Sequence, residues 1–310
     1  MHPKRNQNGQ SGQALVLTVV FLVSMLGMSA LVLDVGSWYR SKRNLQATAD
    51  AAALAGAQAL PDTPSAAPGL AGQYAQKNAS DLATADYSVG SNIVPSDQIT
   101  VHLTRPAPGF FAKLFGIDSV NVGATATAES EGMAQARYVA PITVRNTHPM
   151  LAGPGCPCYG PQNETTLPLG KTGAPGAFDL IDLNGDSTGT VGASTLADWI
   201  QNGYDDYLGL GDYFSDPGAK WNNATIQAAL NARVGTELLF PVYDQLAGSG
   251  SNAKYHIIAW AAFHLESVTA NGSSGSITGY FTDVVWDGIA ATTSGGAGPN
   301  FGVHTVQLVN

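Results

Sequence analysis

Ala14 to Leu33 reads ALVLTVVFLVSMLGMSALVL, an apolar run broken only by Thr18, Ser24, Gly27 and Ser29. At 1.5 Å per residue a helix over this run is about 30 Å long, one hydrocarbon thickness. No charged residue occurs from Asn6 to Leu33. The run is longer than the roughly 7–15 residues of a signal-peptide core, and the helical pattern continues through it without a break. A retained transmembrane helix over residues 14–34, bounded by Ala14 and Leu33, is therefore expected, preceded by a short segment of residues 1–13.

The helix should continue outside the bilayer over residues 35–60. Asp34 to Leu60 contains no proline, whereas Pro61, Pro64 and Pro68 follow at once and stop a helix by removing amide donors. Trp38 and Tyr39 fall where an interfacial aromatic belt lies, and Arg40, Lys42 and Arg43 fall at headgroup depth. Beyond them Leu45, Ala49, Ala52, Ala53, Gly56 and Leu60 recur at spacings that share one helical face. Small residues on such a face let a second element approach closely, so Leu45, Ala49, Ala53 and Gly56 are the expected packing positions. Lys4 and Arg5 precede the run and three basic residues follow it, so the positive-inside count gives no orientation.

Charge is placed unevenly along the 310 residues. Beyond Asn44 there are nine basic and 22 acidic side chains, a net of about −13 with histidine neutral. A body this negative lacks the basic footprint of a nucleic-acid binder. Charged residues are 12% of the chain, about half the usual share, which suits a surface-assembled protein better than a cytoplasmic enzyme. Cys156 and Cys158 stand alone, with no second pair or spaced histidines to complete a zinc site. They are read as two thiols or as a local disulfide.

The rest of the chain predicts an α+β protein. Residues 61–130 read as a small α+β module: a helix over 70–83, a strand of alternating Ile99, Val101 and Leu103, a brief apolar helix over 110–115, and a second strand over 119–128. Residues 138–310 read as a mostly antiparallel, β-rich domain. Its expected strands lie near 138–144, 237–243, 254–268, 276–286 and 303–309, with helices near 195–201 and 224–233, the second capped by Asn222 or Asn223.

Several N-terminal strings resemble a known family. Gly12-Gln13-Ala14-Leu15, Asp34-Val35-Gly36, Tyr39, Leu45-Gln46 and Ala49-Asp50-Ala51-Ala52-Ala53-Leu54-Ala55-Gly56-Ala57 look like the N-terminal signature of TadE/TadG-like Flp pilus-assembly proteins. Ile99 to Arg105, Phe110 to Gly116 and Val120 to Ala128 look like a second segment of that family. The resemblance implies a bacterial, membrane-anchored, pilin-like component of tight-adherence pilus assembly, with its body outside the cytoplasm. The bilayer and other Tad/Flp pilus proteins would be its partners. It also points to Gly12 as a processing site, where related pseudopilins carry Glu at the fifth mature position. Here that position is Leu17, a departure that favours a TadG-like anchored component.

Constellations that could carry chemistry are sparse. Asp182, Asn184 and Asp186 occupy positions 1, 3 and 5 of a calcium-loop pattern, but Ser187 and Ala193 stand where Gly and Glu are required. His256 and His264 are eight residues apart, about 26 Å along one strand, and cannot share an ion. No Walker loop, nucleophile elbow or His-Glu-x-x-His string occurs. Accordingly no cofactor, metal or small-molecule substrate is expected, and the chain is read as a non-enzyme. Two other readings are a surface adhesion module, which an exposed Trp199/Tyr204/Tyr207/Trp221 patch would favour, and an anchored hydrolase, which would need convergent carboxylates.

Overall fold

The computed structural model of the chain describes residues 10–170, 179–185, 191–216, 220–249, 252–271, 274–291, 296 and 298–309. It opens with α1 (Gln10–Ala57), a single helix of 48 residues and so about 72 Å long. The apolar side chains from Leu15 to Leu33 are exposed all round the helix. Thr18, Ser24 and Ser29 fold their hydroxyls back onto carbonyls one turn earlier at 2.8–2.9 Å, so these polar hydrogens are satisfied within the helix. Among the described residues this is the one helix long and apolar enough to cross a membrane.

Contacts divide the chain into two compact units. The first comprises Met1–Gly90, Gln98–Glu129 and Leu308–Asn310. In it the C-terminal half of α1 packs on α2 (Ala67–Asn78) and on an antiparallel sheet of β1 (Thr84–Gly90), β2 (Gln98–Pro108) and the start of β3 (Ser119–Ala136). β2 buries Ile99, Val101 and Leu103, and β3 buries Ala124, Ala126 and Ala128 on its own alternation. The other face carries cross-strand polar pairs, Thr100 with Thr127 at 3.0 Å and His102 Nδ1 with Thr125 at 2.8 Å. One face is thus helix-covered and the other suits water.

The second unit comprises Ser91–Asp97 and Ser130–Gln307. Its main sheet runs β4 (Val144–Arg145), β8 (Glu237–Ala247), β9 (Lys254–Asn271), β10 (Ser274–Thr282), β5 (Thr165–Leu169), with β7 (Gly211–Phe214) also on β9. The β8–β9–β10 meander is antiparallel and β4 joins β8 in parallel. Phe240 stacks on Phe263, and Phe263 meets Phe281 edge-on, with ring centroids 5.6 and 5.2 Å apart. α4 (Ala193–Asn202) packs on α5 (Ala224–Ala232), and α5 also touches β9. The Asn223 side chain caps α5 by accepting from the Thr225 amide at 2.9 Å. The later half of β3 pairs with β6 (Leu208–Gly209) and β12 (Gly288–Ala290), while β11 (Val284–Val285) lies parallel to β13 (Val303–Val309).

The chain is α+β with a β-rich C-terminal region, as the patterning predicts. Local differences have physical causes. The strand expected over 138–144 shrinks to β4 plus single bridges at Val139 and Ile142, because Tyr138 adopts φ 59° and Pro141 has no amide to donate. β5 is unexpected from sequence because Pro168 interrupts it; among the described residues the strand sits at the sheet edge, paired to β10, where proline is tolerated.

Asp179 gives this unit a pH dependence. It lies beside a cavity of about 180 Å³ lined by Ile142, Leu167, Leu169 and Tyr243. Burial pushes its carboxyl up to about 7, opposed by a bond from the Gly170 backbone. The folded state therefore holds a proton that the unfolded chain has released, and stability falls as pH rises from about 4 to about 7. The full span corresponds to about 4 kcal/mol. Asp179→Asn should remove that slope, so its melting temperature should gain on the parent's between pH of about 4 and about 8. A difference that is constant across pH would contradict this.

Candidate functional site

The most organised polar and packing features of the first unit lie along one side of α1, where it leaves its apolar run. Asp34 is the first residue past that run, and its side chain is buried. Its carboxylate accepts the backbone amides of Phe110 at 2.8 Å, Phe111 at 3.0 Å and Ala112 at 2.6 Å. One turn on, the Trp38 indole donates to the Pro108 carbonyl at 3.1 Å. Arg105 reaches Ser41 through Nε to the hydroxyl at 3.1 Å and Nη2 to the carbonyl at 2.8 Å. Gln46 donates to the Thr125 carbonyl and to Asp50, both at 2.8 Å.

Farther along, the same side becomes apolar and small. Leu45, Ala49, Ala52, Ala53, Ala57 and Leu60 are buried, facing Ala67, Ala71 and Ala75 of α2 and the Ile99–Leu103 face of β2. Gly56 is the closest approach: a Cβ there would lie 2.7 Å from Ile99 Cδ1 and 3.0 Å from the Ala67 carbonyl oxygen. Contacts thus recur every three or four residues from Asp34 to Leu60, and β2 runs antiparallel to them. From Ser41 to Gly56 the helix rises about 22 Å, and from Arg105 back to Ile99 the strand covers about 20 Å. The two periodicities match, so helix and strand stay in register.

The remaining residues singled out from sequence are placed as follows. Gly12 lies in the first turn of α1, and Tyr39, Arg40, Lys42 and Arg43 are exposed on it. Cys156 and Cys158 are joined by a disulfide just after α3 (Pro149–Ala152). Asp182 is buried and accepts the Asn184 amide at 2.9 Å, whereas Asp186 lies outside the described residues. Among the described residues Asp182 belongs to no cluster of three His, Cys, Asp or Glu side chains close enough to share an ion.

The histidines serve as cross-strand partners. His256 faces Asp212 at 2.8 Å and His264 faces Glu237 at 2.9 Å, each pair in register between neighbouring strands. Trp199 and Trp221 are 6% and 2% exposed, so they belong to the core with Tyr204 packed edge-on against Trp199. Tyr207 is exposed under Arg137, which is ion-paired to Asp205. The four aromatics do not form one exposed patch, because burying two indoles is worth more than displaying them. The sequence reading missed the Asp34 clamp and the Arg105–Ser41 contact. The signal was there as two polar residues on a helix face otherwise continuous with the packing stripe.

Two substitutions test the junction. Gly56→Leu should lower the stability of detergent-solubilised chain by about 1–3 kcal/mol through overpacking, read as a drop in melting temperature. Gly36→Ala, where a Cβ meets nothing within 4 Å, should be neutral or stabilising by up to about 1 kcal/mol. Asp34→Ala should free the 110–112 backbone and raise chymotryptic cleavage at Phe110 and Phe111 several-fold. Equal cleavage of variant and parent would show that the clamp does not hold the loop.

No curated protein and no solved structure matches the chain. One family model does, over residues 12–59. That span takes in the exposed apolar run, Asp34, Trp38, Ser41, Gln46 and the small-residue stripe through Gly56. Residues 12–59 match the family model described as putative Flp pilus-assembly TadE/G-like, and they hold most of the helix that is long and apolar enough to cross a membrane.

Proposed function

We propose that the chain is a pilin-like structural component of Flp/Tad pilus assembly. α1 holds it in the membrane over residues 14–34, and the body beyond residue 35 lies outside the cytoplasm and acts through protein contacts. The observation that carries this reading is the junction: the residues of the matched span are those that turn a lipid-facing helix into the spine of an extramembranous fold. Its partners are the bilayer and other Tad/Flp pilus proteins. Trp38, Tyr39, Arg40, Lys42 and Arg43 sit at the interface, and Leu17 at the fifth position after Gly12 supports an anchored rather than a fibre-incorporated subunit.

A structural rather than catalytic role is supported by what the titratable groups do. His256 and His264 are each occupied by a cross-strand carboxylate, and Asp216 is held by Lys220 at 2.6 Å. Burial raises the Asp216 carboxyl even against that ammonium, so the pair is a core element.

Shearing the producing cells and probing the fractions with an antibody to residues 138–310 tests the assignment. The protein is expected in the membrane fraction, and trypsin added to intact spheroplasts should digest the epitope. Recovery in sheared fibres would make it a minor pilin despite Leu17. Protection of the epitope in spheroplasts would overturn the orientation.

A further inference from the structure

Gly109 to Asp118 forms a closed apolar loop between β2 and β3. Leu114 and Phe115 are 82% and 84% exposed, and Phe110, Phe111 and Ile117 also point outward. Five large apolar side chains in the eight residues from Phe110 to Ile117 form an outward-facing patch of the kind that marks an interaction surface. The loop's amides are paired partly within the loop and partly by Asp34. Gly109 N donates to Asp118 O, Leu114 N to Phe111 O, Gly116 N to Lys113 O and Ile117 N to Ala112 O, at 2.9–3.1 Å. Phe110, Phe111 and Ala112 donate to Asp34. Gly116 closes the turn at φ 79°, a conformation that favours glycine.

A loop in water can leave its amides to solvent, whereas a segment entering hydrocarbon must pair them, and here four are paired within the loop and three by Asp34. The loop's position is equally informative. Asp34 ties it to α1 one residue past Leu33, where the exposed apolar run ends. Trp38 ties the preceding Pro108 one turn farther out. The apolar surface of the loop is thereby continuous with that of the helix, at the depth where aromatic side chains settle in a bilayer. Exposed Lys113, with Arg40, Lys42 and Arg43, supplies cations at headgroup level.

We propose that Phe110–Ile117 is a second membrane contact, inserted into the interfacial layer of the leaflet that α1 exits. Asp34 sets its depth. Two lipid contacts fix the tilt and rotation of the first unit on the membrane, which a single helix leaves free. This inference rests on the reading of α1 as a membrane anchor.

The test uses the full chain in vesicles of phosphatidylethanolamine and phosphatidylglycerol, labelled at single introduced cysteines with an environment-sensitive fluorophore. Cys156 and Cys158 stay oxidised and unreactive. The sites are Leu114→Cys and Phe115→Cys in the loop, Leu26→Cys within the span, and Asp86→Cys as the aqueous control. Asp86 pairs with His102, six residues back along β2 from Pro108, or about 20 Å. Shallow nitroxide lipids are expected to quench the loop labels, and iodide to quench them several-fold less than the Asp86 label. Loop labels open to iodide with a lipid-shielded Leu26 label would overturn the loop contact and leave the anchor standing. Loop labels shielded from both iodide and nitroxide lipids would also overturn it, since a second copy or another protein would then cover the patch. A Leu26 label open to iodide would overturn the anchor and the loop contact together.

Discussion

A carboxylate at the end of a lipid-facing helix must be hydrated, paired or hydrogen-bonded, because a bare buried charge costs too much to keep. Asp34 meets this demand by accepting three consecutive backbone amides from a segment more than seventy residues away. The bonds are charge-assisted, the stronger kind, and they decide where the polypeptide may return to the helix. Once the 110–112 backbone is tied there, Pro108 falls beside Trp38, Arg105 beside Ser41, and β2 lies along the spine that α1 provides. The position of the first sheet follows from that tether.

Steric access does the rest. A strand and a second helix can both reach α1 only where its side chains are short, and Ala49, Ala52, Ala53, Gly56 and Ala57 clear the space. Ala124, Ala126 and Ala128 do the same from β3. The first unit is thus built from small apolar residues whose contribution is close approach and dispersion rather than large buried area. The second unit uses the opposite means, a core of Phe240, Phe263, Phe281, Tyr255 and Trp221 between a meander sheet and helices. Its surface histidines and acids pair across strands.

The site is accordingly a junction built from packing and hydrogen bonds. It joins an exposed apolar helix to a folded body through the side chains of Asp34, Trp38, Arg105 and Gln46 and through the packed small-residue stripe. That property suits an assembly component, and it gives the string Leu45-Gln46 to Ala57 a physical reason. Leu45 anchors the stripe, Gln46 fastens β3 at Thr125, and the alanines and Gly56 admit the partners.

The sequence by itself determined the elements whose signal is local. A twenty-residue apolar run needs hydrocarbon, prolines at 61, 64 and 68 end a helix, and alternation of Ile99, Val101 and Leu103 makes a half-buried strand. It also marked the stripe at Leu45, Ala49, Ala53 and Gly56, because helical periodicity is written in spacing. Tertiary structure alone decided what those faces meet. Nothing near Asp34 names Phe110 as its donor, and nothing near Arg105 names Ser41, since such pairs depend on chain return over sixty residues or more. Trp199 and Trp221 read equally well as display or core until the sheet and helices enclosed them. β5, with its proline, became a strand only because β10 offered it an edge. Local physics wrote the elements, and long-range hydrogen bonding and burial chose their partners.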